Sequence, residues 1–482
     1  MTQSPYEPAY QESFEEVYKC VMGESLPKGG GRTVEGGKAI GAGGYGCVLR
    51  PAIRCKGEET SQQGYISKLL TIDAAKEEMS EIDDAFLVIK DIPNYEKYFA
   101  VTDYRMCIPA NLTKEDKKDF KYMCEQPLGL TAKEFDKRKN NEVRAIISPD
   151  LGLDVRQSLK MLFSNSSEQN IRKYLAKFNL KAADFLENGL SQLQKHDYYH
   201  SDVKPENMMT KLNLKSVSES FDYIKLIDFG LALPINASAS DVNDSMLMNF
   251  PFTAPLFRSD VTQSINRKIN RSLVNGKFDN LAKQTLKKQL KDYASYLFLT
   301  IRTGHTSYIM EIGPTAYNMS KGEFIDYLLE IWSEYVLEAI TTTLRVTKNN
   351  STNHDEIRFA VQPYWENIYK YNLDVWGFLT TFLILASYAN KNGHTKIARL
   401  YLKRIVKKYL YNQKYGGQKI PVNAICNELR NLSKELEPNY KKNARLTVKS
   451  RINKKRVSKK TRHNRAKRQK RNVTIKNKLA RQ

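Results

Sequence analysis

The chain has 482 residues, 41% of them hydrophobic and 10% aromatic, which suits a folded protein with a sizeable core and excludes a wholly disordered one. Its formal charge of +24 is unevenly spread: 19 of the 77 Lys and Arg, and none of the 53 Asp and Glu, fall in residues 441–482. The preceding 440 residues carry only +5, so the basic character is mostly a tail and does not define the chain as a whole. Cys20, Cys47, Cys55, Cys107, Cys124 and Cys426 show no C-x-x-C pairing and no histidine at zinc-ligand spacing. That scatter predicts reduced thiols in an intracellular, reducing compartment. The opening residues 1–18 are polar and acidic, so no signal peptide is expected. The longest apolar run, 375–388, is too short to cross a bilayer, and no membrane contact is expected.

In chain order, residues 1–37 end in Pro27-Lys28-Gly29-Gly30-Gly31 and read as a flexible lead-in. Residues 39–104 suit short strands with one helix: a glycine-rich turn, apolar pieces, then a charged helical run over 74–82. Residues 108–142 are mostly Lys, Asp, Glu and Asn and predict a long surface loop or a polar helix. Ala145-Ile146-Ile147 reads as a buried strand. Leu175, Phe178, Leu186, Leu190 and Leu193 recur at helical spacing, and 223–227 reads as a second strand. Residues 259–371 are helical in character, 375–388 predict a buried helix, and the folded part is expected to end near Glu437.

Against that frame stand four motifs. Gly41, Gly43, Gly46 and Val48 form a G-x-G-x-x-G-x-V. Glycines let a hairpin backbone approach phosphate oxygens because no Cβ blocks the way, although glycine-rich turns are also ordinary loops. Lys68 follows in the strand-like Tyr65-Ile66-Ser67-Lys68 and could meet α- and β-phosphates if a carboxylate steadied it. Glu78 is the expected partner and Glu77 the alternative, since one residue turns a helix face by about 100°; taken singly, Lys68 and Glu78 also read as a solvated surface pair.

The third motif is His200-Ser201-Asp202-Val203-Lys204-Pro205-Glu206-Asn207. Phosphoryl transfer asks a carboxylate to orient and deprotonate the acceptor hydroxyl, which suits Asp202; Lys204 would offset charge on the moving phosphoryl, and Asn207 would offer Mg²⁺ an oxygen. The fourth is Asp228-Phe229-Gly230, whose carboxylate suits a Mg²⁺ bridging phosphates. His200 and Phe229 read as packing residues around Asp228.

Together these residues resemble the eukaryotic-type serine/threonine protein kinases, with their glycine-rich loop, third-strand lysine, H-x-D-x-K-P-x-N and D-F-G. Leu373-Asp374-Val375-Trp376-Gly377 is similar to the D-x-W-x-x-G region of that family. The resemblance implies an α+β, bilobal protein-kinase-like fold: a small antiparallel β lobe with one main helix at about 38–150 and a larger helical lobe at about 151–437. It further implies ATP and Mg²⁺ as cofactors and a protein substrate phosphorylated on Ser or Thr. The adenine would lie beside 147–151, starting at Ile147, with Asp154 near the ribose. Lys204 is the serine/threonine pattern.

Three departures stand out. Ser201 replaces the arginine that commonly pairs with an activation-loop phosphate, so activity is expected not to depend on such a phosphate. Ala254-Pro255-Leu256 resembles A-P-E without its glutamate, and Thr253 is not at the usual threonine spacing. A largely helical insertion is expected at about 260–370. With Ser67 before the lysine, these features look like the divergent kinases of large DNA viruses, implying a host cytoplasmic, nuclear or virion-packaged protein.

The tail, 438–482, is expected to be disordered. Its Lys454-Lys455-Arg456 and Lys470-Arg471 clusters, without aromatics, suit phosphate-backbone contact with nucleic acid, an import signal, or a merely solvated end. Competing functional readings are a pseudokinase scaffold, a small-molecule phosphotransferase and a basic nucleic-acid-associated virion protein. The complete motif set favours an active protein kinase.

Overall fold

The structure, a computed structural model, describes residues 37–43, 46–59, 63–242, 247–297, 303–349 and 354–437. The expected lead-in, the basic tail, and Gly44 and Tyr45 of the glycine-rich turn lie outside the described residues. The chain divides into two compact units. Among the described residues, one comprises those up to Ala75 together with Arg105–Asp150; the other comprises Lys76–Tyr104 and those from Leu151 on.

The smaller unit is built on a five-stranded antiparallel sheet of β1 (Lys38–Gly43), β2 (Gly46–Arg50), β3 (Tyr65–Thr71), β4 (Arg105–Cys107) and β5 (Val143–Pro149), in the order β1-β2-β3-β5-β4. Period-two alternation sorts its faces. Cys47, Leu49, Leu69, Val143, Ala145 and Ile147 share one buried cluster. Ser67 lies fully buried within this unit, its hydroxyl accepting from Ile53 N–H at 3.0 Å. The other face carries a cross-strand row, because Val48 pairs with Gly41 and Lys68, and Lys68 with Ile146.

Residues 108–142 hold three helices, Lys114–Met123, Glu125–Leu128 and Ala132–Glu142, where a surface loop or one polar helix was expected. Thr113 and Thr131 start the first and third with capping boxes, and Phe120 and Phe135 meet edge to face at 5.4 Å in the core. The thiol expectation is corrected here. Cys47 is bonded to Cys124 and Cys55 to Cys107, joining the sheet to this helical segment; among the described residues only Cys426 is free, and it is buried. Pairs separated by 77 and 52 residues carry no local spacing signature.

Helix α1 (Ile72–Ile89) belongs to the larger unit from Lys76 onward. Ala85 and Ile89, one turn apart, enter the larger unit's core, and buried Ile82 precedes them by three residues on the same helix face. Next in the chain, β6 (Leu153–Asp154), α2 (Val155–Asn165) and α3 (Glu168–Phe185) lead through a π turn, Leu186–Leu190, to the candidate site. Strands β7 (Met208–Thr210) and β8 (Lys225–Leu226) complete a small sheet ordered β6-β7-β8. The strand expected at 223–227 is thus two residues long.

Within the expected insertion lie α4 (Ser259–Ser272), α5 (Asn280–Tyr296), α6 (Thr303–Tyr317) and α7 (Lys321–Thr342). A hairpin of β9 (Leu344–Asn349) and β10 (His354–Phe359) follows, so the segment is not purely helical. At the centre of this unit is α8 (Lys370–Lys391), buried along nearly its whole length as its apolar run predicts. Helix α9 (Val422–Leu436) closes the described chain against α3. The architecture is α+β, with a small antiparallel sheet unit and a larger helical unit, as expected. No described helix is long and apolar enough to cross a membrane.

Candidate active site

In the larger unit the residues of the third and fourth motifs come together. The loop 199–207 follows α3 and its π turn, and its backbone is anchored from beneath by Asp374 in the first turns of α8. One Asp374 oxygen accepts from His200 N–H at 3.0 Å and the other from Ser201 N–H at 2.9 Å. Ser201 is thereby held at φ +54°, a left-handed conformation that a non-glycine residue adopts only under such constraint. Burial pushes the Asp374 carboxyl up to about 7, with the Asp202 charge adding to the rise and the two N–H bonds opposing it. Gly377, one turn on in α8, lets the loop approach: a Cβ there would sit 2.1 Å from the Val203 carbonyl oxygen.

The loop's catalytic candidates are tied to one another. Asp202 is 5% exposed. Its Oδ2 accepts from Lys204 Nζ at 2.6 Å and from Asn207 Nδ2 at 2.9 Å, and its Oδ1 accepts from Asn249 Nδ2 at 2.9 Å. Asn207 Nδ2 also reaches the Asp202 carbonyl at 3.0 Å, which leaves Oδ1 as the Asn207 atom turned away from the loop. His200 is fully buried, and burial lowers its pKa. Its Nε2 meets the Ile227 carbonyl at 3.0 Å and its ring contacts Phe229 at 4.9 Å, so it packs beside Asp228 as its place in the motif suggested.

Asp228 sits at φ +66°, two residues past the end of β8. Burial, followed by the negative charges of Glu78 and Asp228, holds the Tyr104 phenol above its ordinary range. Glu78 is half-buried on α1, whereas Glu77 is exposed. One turn further along, Glu81 borders Gly230, where an added Cβ would lie 3.1 Å from its carboxylate. Asp154 caps α2, accepting from Gln157 N–H at 2.7 Å; burial raises its carboxyl to about 6.

In the smaller unit, Gly41, Val48 and Lys68 share the cross-strand row, and Gly43 pairs with Gly46 in the same hairpin. A side chain at Gly46 would collide with the Leu69 carbonyl at 2.1 Å. Ile147, expected on the adenine side, packs into the opposite, core face; Ile146 occupies the row with Lys68.

The donor set fits a Mg²⁺ that arrives with a nucleotide. Asp228 and Asn207 together offer one carboxylate and one amide oxygen, and among the described residues no cluster of three or more His, Cys, Asp or Glu could hold a metal alone. Mg²⁺ takes few protein ligands and completes its octahedron with phosphate and water oxygens.

Glu81, Ile146 and Asn249 were missed from sequence. Asn249 alone carried a signal: it is the single polar residue in Leu247-Met248-Asn249-Phe250-Pro251-Phe252.

No protein-family model matches the chain, and no curated protein matches it. Among solved structures the chain is similar to a Toxoplasma gondii specific rhoptry antigen kinase domain, with 11% identity, 88% of this chain and 92% of that one covered, and a TM-score of 0.38. At that level the reading rests on the chain's own topology and site geometry.

Proposed function

We propose that the chain is a protein kinase that transfers the γ-phosphoryl group of ATP to Ser or Thr hydroxyls of protein substrates. The observation that carries this reading is the hydrogen bonding of Asp202, a buried carboxylate held by Lys204 and Asn207 in a loop fixed by Asp374. Asp202 accepts the hydroxyl proton as the oxygen attacks phosphorus. Lys204, already at 2.6 Å from Asp202, offsets negative charge on the phosphoryl between nucleophile and leaving group. Asn207 Oδ1 and Asp228 would hold Mg²⁺, which would neutralise phosphate charge when bound. Lys68 and the backbone of Gly41, Gly43 and Gly46 are assigned to the phosphates. Val48 and Ile146 offer apolar contact to the base, and the Asp154 oxygen not used in capping is assigned to the ribose.

The test compares the purified chain with Asp202→Asn, following radiolabelled phosphate from Mg-ATP to mixed protein substrates. Acid-stable label on Ser or Thr, reduced by about 10²–10⁴-fold in the variant, is the expected result. Equal labelling by both proteins, or no transfer by the unaltered chain while it still binds nucleotide, would overturn it.

A further inference from the structure

The acceptor-facing carboxylate has a third partner that belongs to none of the four motifs. Asn249 lies 47 positions from Asp202 in sequence, and its Nδ2 donates to Asp202 Oδ1 at 2.9 Å. Asn249 is 7% exposed, so solvent does not compete freely for the bond. A carboxylate offers about four lone-pair directions. Lys204 and Asn207 take the two on Oδ2 and Asn249 takes one on Oδ1, which leaves a single lone pair, on Oδ1, for an incoming hydroxyl.

Oδ2 alone would not fix that lone pair. Its closest partner, Lys204, has a side chain 35% exposed on a flexible stem. Asn249, by contrast, is presented from a rigid frame. Trp376 Nε1 of α8 donates to the Met248 carbonyl at 3.1 Å, and a Cβ at Gly377 would stand only 3.2 Å from the Asn249 carbonyl oxygen. Phe250 N–H closes a turn onto Leu247 at 3.0 Å, and Phe250 and Phe252 are both buried. Helix α8 thus holds the catalytic loop through Asp374 and presents the Asn249 donor to it through Trp376, two residues apart.

We infer that Asn249 is a positioning residue for phosphoryl transfer, turning the Asp202 carboxylate so that its one open lone pair on Oδ1 faces the acceptor hydroxyl. This rests on the kinase reading above. Because a base off its line by a fraction of an ångström loses rate and not affinity, the effect belongs in kcat.

The experiment measures steady-state phosphorylation of one peptide by the full chain, by Asp202→Asn, and by Asn249→Ala, Asn249→Asp and Asn249→Ser. Asn249→Ala should lower kcat by about 10- to 100-fold, with KM for ATP and peptide changed less than about threefold. Asn249→Asp, which removes the donor and sets a second carboxylate against Oδ1, should lose more. Asn249→Ser, which keeps a donor, should fall between Asn249→Ala and the unaltered chain. Thermal midpoints of the near-isosteric Asn249→Asp guard against misfolding as the cause. An Asn249→Ala enzyme as fast as the unaltered one, a loss confined to KM, or no recovery with serine overturns the inference while the kinase reading stands. An unaltered chain no faster than Asp202→Asn overturns both.

Discussion

The Ser201 hydroxyl donates to the carbonyl oxygen of Leu231, directly after Asp228-Phe229-Gly230, while the Ser201 N–H is held by Asp374. In the kinases this chain resembles, an arginine at that position awaits an activation-loop phosphate. Here a neutral, part-buried bond ties the loop 199–207 to the segment that follows, and Leu233 N–H adds a second tie to the Tyr199 carbonyl at 2.8 Å. Further along, Trp365 Nε1 donates to the Ala237 carbonyl at 2.8 Å and Ala239 N–H to Gln362 Oε1 at 2.9 Å. Phosphatase treatment is therefore expected to leave phosphotransfer within about twofold, whereas a phosphate-ordered segment would collapse; rates before and after treatment, with phosphate content checked by mass spectrometry, decide it.

Asp374 gives stability a pH signature. Its folded-state pKa of about 7 lies above the ordinary value of about 3.9, so the folded protein retains a proton that the unfolded chain releases. The contribution is fully present below about pH 4, declines as pH rises, and is lost above about pH 7. Asp374→Asn cannot accept at both of its terminal atoms, which strands one of the two N–H donors of His200 and Ser201. The variant should be less stable than the unaltered chain at pH 5, by about 2–4 kcal/mol, with the gap narrowing towards pH 8. Denaturant midpoints across that range read the difference directly, since shifts from Asp154 and His200 are common to both proteins. A gap independent of pH would rule out the raised carboxyl.

Legibility from sequence followed the range of each interaction. Asp202, Lys204 and Asn207 lie within six consecutive positions of one loop, so their spacing nearly dictates their meeting, and the structure joins them within 3 Å. Asn249 and Glu81 reach the same neighbourhood through tertiary folding, which no local spacing encodes. The Ile146 and Ile147 exchange has a different origin. Successive residues of a strand face opposite ways, so an error of one position moves a side chain from the Lys68 row to the core. Polar composition over 108–142 concealed the few apolar residues, Phe120, Leu128 and Phe135 among them, that anchor three short helices in the core.

The two disulfides close long stretches of the smaller unit, between positions 77 and 52 residues apart. Loop-closure entropy assigns each about 4 kcal/mol when broken alone, less for the second because the loops overlap. Non-reducing peptide mapping should recover Cys47 linked to Cys124 and Cys55 linked to Cys107. Cys124→Ser should lower the thermal midpoint, and added reductant should then lower it further. Cys426→Ser, at the buried free thiol, should leave the midpoint's response to reductant unchanged. Recovery of both pairs as free thiols after growth and purification without reductant would refute the assignment.

The segment between β10 and α8 closes onto Thr253, just before the Ala254–Phe257 turn, at one hydroxyl. Tyr364 OH lies 3.0 Å from Thr253 Oγ1 and donates to the Gly416 carbonyl at 2.9 Å, with Tyr364, Thr253 and Gly416 all buried. Thr253 adjoins the Ala254–Phe257 turn, itself fixed by Leu256 N–H on the Thr253 carbonyl at 2.9 Å. Removing the hydroxyl in Tyr364→Phe preserves the ring packing against Phe257 and Phe359 but strands two buried polar atoms. The expected cost is about 1–3 kcal/mol of stability. Thr253→Val removes the other side of the bond, so the double variant should lose less than the sum of the single ones by about 1 kcal/mol. Strict additivity in that cycle would mean that the two residues are merely adjacent. The expected coupling would instead give the long insertion a physical role, since its far end then holds the segment that presents Asn249 to Asp202.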